Sequence, residues 1–327
     1  MTSRKAKDGI KRARACVFLF IGAALLALFI KNPTLTARAA ADALSKCGAI
    51  LIPSLFPLMT ASEIAVESGA AERLTRPLAS ILSKPLRIKK EASAPLLLGL
   101  FGGYTTSVCG ALSLLRSKKI SKRDCERLIA ISSLPSLPFL TGFVGSSVFN
   151  STADGWILWL ITVITSLLIG FFTRPIRARA EYSTADGEDI RANAGGRSLS
   201  KIIVGAISHS ATSMILICAC VIFFYALAQT LKAPLKALGL PENIERLILG
   251  SLEITGGTLS CADIGSNILK RTVCAFFVGW SGLSVHFQII SLCDGYGLSF
   301  KRYFIFKALH GILCALIAFA IFGFKFR

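Results

Sequence analysis

Acidic residues are scarce in this chain. Eighteen Asp and Glu face 37 Lys and Arg, a formal charge of +19 over 327 residues. In a soluble protein that excess would point to nucleic acid. Here the cations gather in loops between apolar runs, where the positive-inside rule accounts for them. Aromatic residues lie mainly inside those runs, so no stacking platform for bases is present. Histidine is rarer still, with only His209, His286 and His310, too few to favour a metalloenzyme. No G-x-x-x-x-G-K-[ST] loop occurs, which leaves no visible ATP-driven mechanism. None of the ten cysteines forms a Cys-x-x-Cys pair, and most lie in apolar segments. They read as small buried hydrophobes rather than disulfides or metal ligands. No arrangement expected of an enzyme or a resident cofactor stands out.

What the chain has is apolar length. Hydrophobic residues make up 53% and mean hydropathy is +0.64. The apolar runs of roughly 16–24 residues match a ~30 Å hydrocarbon core. They do not alternate as barrel strands would, so the expectation is an all-α polytopic membrane protein. Residues 1–14 form a basic, cytoplasmic N-terminus and 15–30 a first transmembrane span. Ala37-Arg38-Ala39 resembles a signal-peptide cleavage site, but the chain beyond is itself membrane-like, so the span reads as uncleaved. Residues 38–62 follow, with a kink or unwinding expected at Pro53 and Pro57.

The loops at 72–91 and 116–127 each carry six cations and both belong inside. The apolar stretch between them must therefore begin and end on one side. At its centre Gly102-Gly103 precedes Tyr104, Thr105, Thr106 and Ser107, a turn signal with hydroxyls at hand for freed backbone groups. A re-entrant helical hairpin over 94–115 fits. The chain then crosses outward over 128–149, interrupted by Ser-Ser-Leu-Pro-Ser-Leu-Pro (132–138), and returns over 156–173 with Trp156 and Trp159 as interface anchors. Residues 174–201 read as an inside linker. The second half repeats this plan: a span at 202–231, a hairpin at 244–261 centred on Gly256-Gly257, an interrupted span at 272–293 and a last span at 303–324. Repeat 1 (38–173) has an odd number of crossings, so repeat 2 (202–324) is inverted relative to it. Inverted-topology repeats with discontinuous helices, two hairpins and about seven spans describe a secondary transporter.

Glu253 is the sharpest single residue. A carboxylate near the bilayer centre costs roughly 2.5–3.5 kcal/mol on insertion scales, so it should be paired, protonated or functional. It lies in the stretch Gly250–Gln288 with Thr255, Gly256, Gly257, Ser281, Gly282, Ser284, His286 and Gln288. Such residues are tolerated in lipid only where they face protein or a water-filled cavity. Lys307 and His310 share one helix face; the lysine either snorkels to the interface or supplies a counter-charge.

Several motifs carry a family resemblance. They are Leu98-Gly99 with Gly102-Gly103-Tyr104, Pro138-Phe139 with Gly142 and Gly145, and Gly250-Ser251-Leu252-Glu253-Ile254-Thr255-Gly256. Gly279 to His286 with Gln288, and Tyr303, Lys307 and His310, complete the set. Over residues 15–324 the chain resembles the YlbJ/SpoVV-type sporulation integral membrane proteins, whose repeats belong to the nucleoside-recognition or Gate-domain group. It departs from the family's pattern at Thr105, where proline is expected, and near Ser132-Ser133, where asparagines are. The resemblance implies dipicolinate export from the mother cell across the outer forespore membrane, and kinship with concentrative nucleoside transporters. A dianionic pyridine would suit the helix N-termini at the two hairpin turns, with Gly102, Gly103, Tyr104, Thr105, Thr106, Ser107, Thr255, Gly256 and Gly257 around it. A coupling proton or sodium ion is the one co-substrate to expect. The other readings are a nucleoside-type permease and a non-transporting scaffold for spore assembly.

Overall fold

The computed structural model describes residues 2–68, 70–174 and 198–326, and no strand occurs among them. Most of the 174–201 linker and the side chains of the basic N-terminus lie outside the described residues. Fourteen α-helices follow in order: α1 Thr2–Lys31, α2 Pro33–Lys46, α3 Ile52–Glu67, α4 Ala70–Leu86, α5 Ser93–Gly102, α6 Tyr104–Arg116, α7 Lys122–Ser132, α8 Thr152–Phe172, α9 Leu199–Ala237, α10 Glu242–Leu252, α11 Ile254–Ser260, α12 Asn267–Trp280, α13 Gly282–Leu292 and α14 Lys301–Lys325. Four stretches are long and apolar enough to cross a membrane: α8, α9, α12–α13 taken together, and α14. A fifth, Cys16–Lys31 with Pro33–Leu51, is bent by 96°. Asn32 caps the turn there and Pro33 opens α2, a position where its missing N–H has no helical partner to lose.

The break expected at Pro53 and Pro57 falls earlier. Cys47–Leu51 form a π-helical turn that runs directly into α3, whose second residue, Pro53, has no N–H to give to the turn before it. Pro57 is carried inside α3.

Both helical hairpins are visible in glycine contacts. A Cβ on Gly99 would lie 2.6 Å from Cβ of Ser107, and one on Gly110 3.0 Å from Pro95. In a straight helix residues 95 and 110 would be ~22 Å apart, so α5 and α6 run antiparallel. The turn is Gly103, at φ +89°, a conformation that suits glycine. In the second half a Cβ on Gly257 would sit 2.7 Å from the carbonyl oxygen of Gly250, against ~10 Å in a straight helix. There the turn is not Gly256-Gly257. It is Glu253, extended at φ −145° and ψ 122°, and both glycines lie within α11. The physical reason is that Glu253 caps the new helix, while the glycine at 257 is needed where the two arms touch.

Each hairpin is followed by a broken helix and then a long one: α5–α6, α7 with a π-helical segment Phe139–Val148, and α8; then α10–α11, α12–α13 and α14. After α7, Pro135 has no N–H to offer the carbonyl of Ile131; Ser166 Oγ donates to it instead. The second break is made by Ser281 and Gly282, at φ +75° and +79°.

The basic loops meet at one end of the helices. Arg116 donates to the Tyr296 hydroxyl, and Ser299 N to Glu126 at 2.7 Å. Arg127 donates to the carbonyls of Leu86 and Gly170 at 2.8 and 2.7 Å. At the far end of α14, Lys325 joins Arg271 on the buried carboxylate of Asp154.

Candidate functional site

The two hairpin turns and the two helix breaks face a common space. Each break leaves backbone groups without helical partners, and the chain satisfies them selectively. At the C-terminal ends of the first hairpin arms, indole nitrogens take up the loose carbonyls: Trp159 Nε1 donates to Leu100 at 2.8 Å and Trp280 Nε1 to Ser251 at 3.0 Å. Trp159 is therefore a tie between α8 and α5 rather than only an interface anchor.

At the N-terminal ends the pattern differs. Glu253 accepts from the N–H groups of Thr255 (2.8 Å) and Gly256 (2.6 Å), so α11 is capped by its own carboxylate. That side chain is 1% exposed. No side chain caps α6, which opens after Gly103, or α13, which opens after Ser281. These two helix ends present first-turn N–H groups with no side-chain cap, and the positive end of the macrodipole.

The space between them is a cavity of about 70 Å³, enough for several waters at ~10–15 Å³ each. Nine of the sequence-selected residues line it: Gly102, Gly103, Tyr104, Thr105, Glu253, Thr255, Ser281, Ser284 and Gln288. The Tyr104 hydroxyl donates to Oε1 of Gln288, joining the first hairpin to α13. Ser284 Oγ is buried and has no hydrogen-bond partner, a free polar group on the cavity wall.

Seven selected residues do not line the cavity. Thr106 lies one position beyond the lining part of α6. Ser107 is buried and bonds to Ser132. Gly256 faces Tyr225 of α9, Gly257 packs on Gly250, and Gly282 packs on the backbone of Glu253 and Ile254. His286 lies behind the cavity among Trp280, Tyr303 and Phe304, its Nδ1 2.7 Å from the Tyr303 hydroxyl. Lys307 is also behind it, fully buried.

Sequence reasoning did not assign Pro135, Ser136 and Phe139 to the site, although they line the cavity from the first helix break. The Pro-x-x-Pro interruption was the available signal. The apolar wall of Leu51, Leu55, Ile217 and Val221 had none, because nothing in a hydrophobic run marks which face meets a cavity.

No protein-family model matches the chain. It is 23% identical over 330 aligned positions to the sporulation integral membrane protein YlbJ of Bacillus subtilis (strain 168), covering 92% of this chain and 80% of that protein. Over most of its length the chain is similar to that YlbJ-type protein. With its long apolar helices, that makes it an integral membrane protein.

Of the two readings of Lys307, snorkelling to the interface does not occur, since the side chain is fully buried. Its Nζ instead donates to the carbonyl of Ser133 at 3.0 Å, at the C-terminal end of α7. Three residues on, His310 lies between the carbonyls of Gly279 (Nδ1, 3.0 Å) and Thr162 (Nε2, 2.9 Å), tying α14 to α12 and α8.

Proposed function

We propose that the chain is a transporter of a small planar anion, and that the cavity between its broken helices is the substrate site. The observation that carries this reading is the pair of helix N-termini without side-chain caps, α6 and α13, at one cavity. Glu253 supplies the template: a carboxylate held by two backbone N–H groups of a third helix in the same place. Two free N-termini suit a substrate with two carboxylates, and unpartnered Ser284 offers a further donor. Dipicolinate, brought in by the YlbJ-type resemblance, meets that description. The setting proposed with it is export from the mother cell across the outer forespore membrane, with the protein's N-terminus in the cytoplasm.

The twice-used order of hairpin, broken helix and long helix supports inverted repeats, about seven spans, and hairpins entering from opposite faces. Alternating access then moves the two hairpin tips apart on one side at a time. The test is uptake of labelled dipicolinate by vesicles containing the purified protein. Saturable flux that empty vesicles lack supports the proposal. Uridine flux without dipicolinate flux would make it a nucleoside-type permease, and no flux of either would leave the scaffold reading.

A further inference from the structure

Lys307 is the most unusual charge-bearing group in the interior. It is 0% exposed, and among the described residues it forms no ion pair. An ammonium carries three N–H donors; Lys307 has one protein acceptor, the Ser133 carbonyl. A cation in such a place needs either an anion or release of its proton. The ionisable groups that act on it supply no anion: His286 on α13, and His310 and Cys314 on its own helix. The helices packed against α14 present carbonyls and hydroxyls nearby, at Ser133, Thr162 and Gly279.

Its one partner is placed to sense the cavity. Ser133 opens the helix break whose next residues, Pro135 and Ser136, line it. An anion in the cavity would thus lie one short backbone segment from the lysine, and its charge would favour the ammonium.

We propose that Lys307 is the proton-coupling site of this protein. The amine takes up a proton when an anion enters the cavity and gives it up to water on the far side as the anion leaves. One proton then crosses with each anion, in the same direction. This rests on the transport reading above and adds the coupling ion and the residue that carries it.

The experiment uses the full-length protein in vesicles with an entrapped pH dye, a clamped membrane potential and a gradient of labelled dipicolinate. The quantity read is protons moved per dipicolinate. The expected ratio is one for the wild type and zero for both Lys307→Gln, which never carries the proton, and Lys307→Arg, which never releases it. A ratio of one in either variant overturns the assignment, as does a ratio that falls with His286→Gln or His310→Gln instead. A wild-type ratio of zero with clear dipicolinate flux overturns proton coupling and leaves transport standing. No wild-type flux overturns the transport reading. Proton uptake from weakly buffered detergent solution on adding dipicolinate then decides the site: uptake by the wild type, lost in Lys307→Gln, supports it, and no uptake overturns it.

Discussion

Tyr104 and Gln288 stand 184 residues apart in the chain, and the phenol of the first donates to the carboxamide oxygen of the second. The bond joins the first residue of α6 to α13 across the cavity wall. Tyr104→Phe removes the donor and leaves a buried amide oxygen short of a partner, a loss of roughly 1–3 kcal/mol. If the bond sets the cavity's shape for an anion, dipicolinate affinity should fall about tenfold, which is ~1.4 kcal/mol. Equilibrium binding by the purified protein measures it. Unchanged affinity alongside a lower melting temperature would show that the bond only holds the helices together.

Glu253 makes a second prediction, because it is a helix cap as well as a cavity residue. Replacing a capping side chain by alanine costs roughly 0.5–2 kcal/mol. Glu253→Ala should therefore lower the melting temperature by a few degrees. Millimolar formate or acetate should recover part of the loss by binding the freed N–H groups of Thr255 and Gly256. Glu253→Gln, which keeps one acceptor oxygen in reach, should lie between the two. Rescue by chloride to the same extent would argue against a carboxylate-shaped site.

How much of this was readable beforehand differs by feature. The hairpin over 94–115 followed from charge alone: loops full of cations on both sides forbid a crossing between them. Its turn was also marked, since Gly103 adopts a positive φ. The second turn was misplaced by three residues. Gly256-Gly257 looked like the same signal, but one of those glycines serves a close backbone contact and the real turn uses an acid as cap. Periodicity cannot separate those two uses of glycine. Lys307 was seen as either an interface lysine or a counter-charge because its depth depends on how α14 packs on α7, which is tertiary information. The Asp154–Arg271–Lys325 group was likewise invisible, its members being 117 and 171 residues apart.

Gly257 yields the third prediction. A methyl group there would sit 2.7 Å from the Gly250 carbonyl oxygen and 2.8 Å from its Cα. Both are backbone atoms and cannot step aside as a side chain could. Gly257→Ala should force the second hairpin apart, at a cost of ~1–3 kcal/mol or more, and should abolish the monodisperse peak on size-exclusion chromatography or dipicolinate binding. Gly48→Ala is the control, since nothing lies within 4 Å of its added Cβ. A well-behaved, binding-competent Gly257→Ala protein would mean that α10 and α11 do not pack as described.

The last prediction concerns the end opposite the basic loops. Asp154 is 1% exposed and sits in the first turn of α8, 2.7 Å from Nε of Arg271. Arg271 is itself 6% exposed, with its guanidinium over the rings of Phe149 and Phe326. The pair links α8 in the first half of the chain to α12 in the second. Breaking a buried pair leaves one charge uncompensated, at a cost of roughly 3–5 kcal/mol. Asp154→Asn should lower folded yield sharply by stranding buried Arg271, and Arg271→Met should lower it less, because Lys325 still pairs with Asp154. The double variant should recover much of the Asp154→Asn loss, because it removes the stranded guanidinium and leaves only the part-exposed Lys325 without its partner. Yields of folded protein and melting temperatures for the four members of that cycle give the coupling energy. A double variant no better than the worse single one would show that the two residues act separately, and that α8, α12 and α14 are held at this end by aromatic packing on Phe322 and Phe326 rather than by charge.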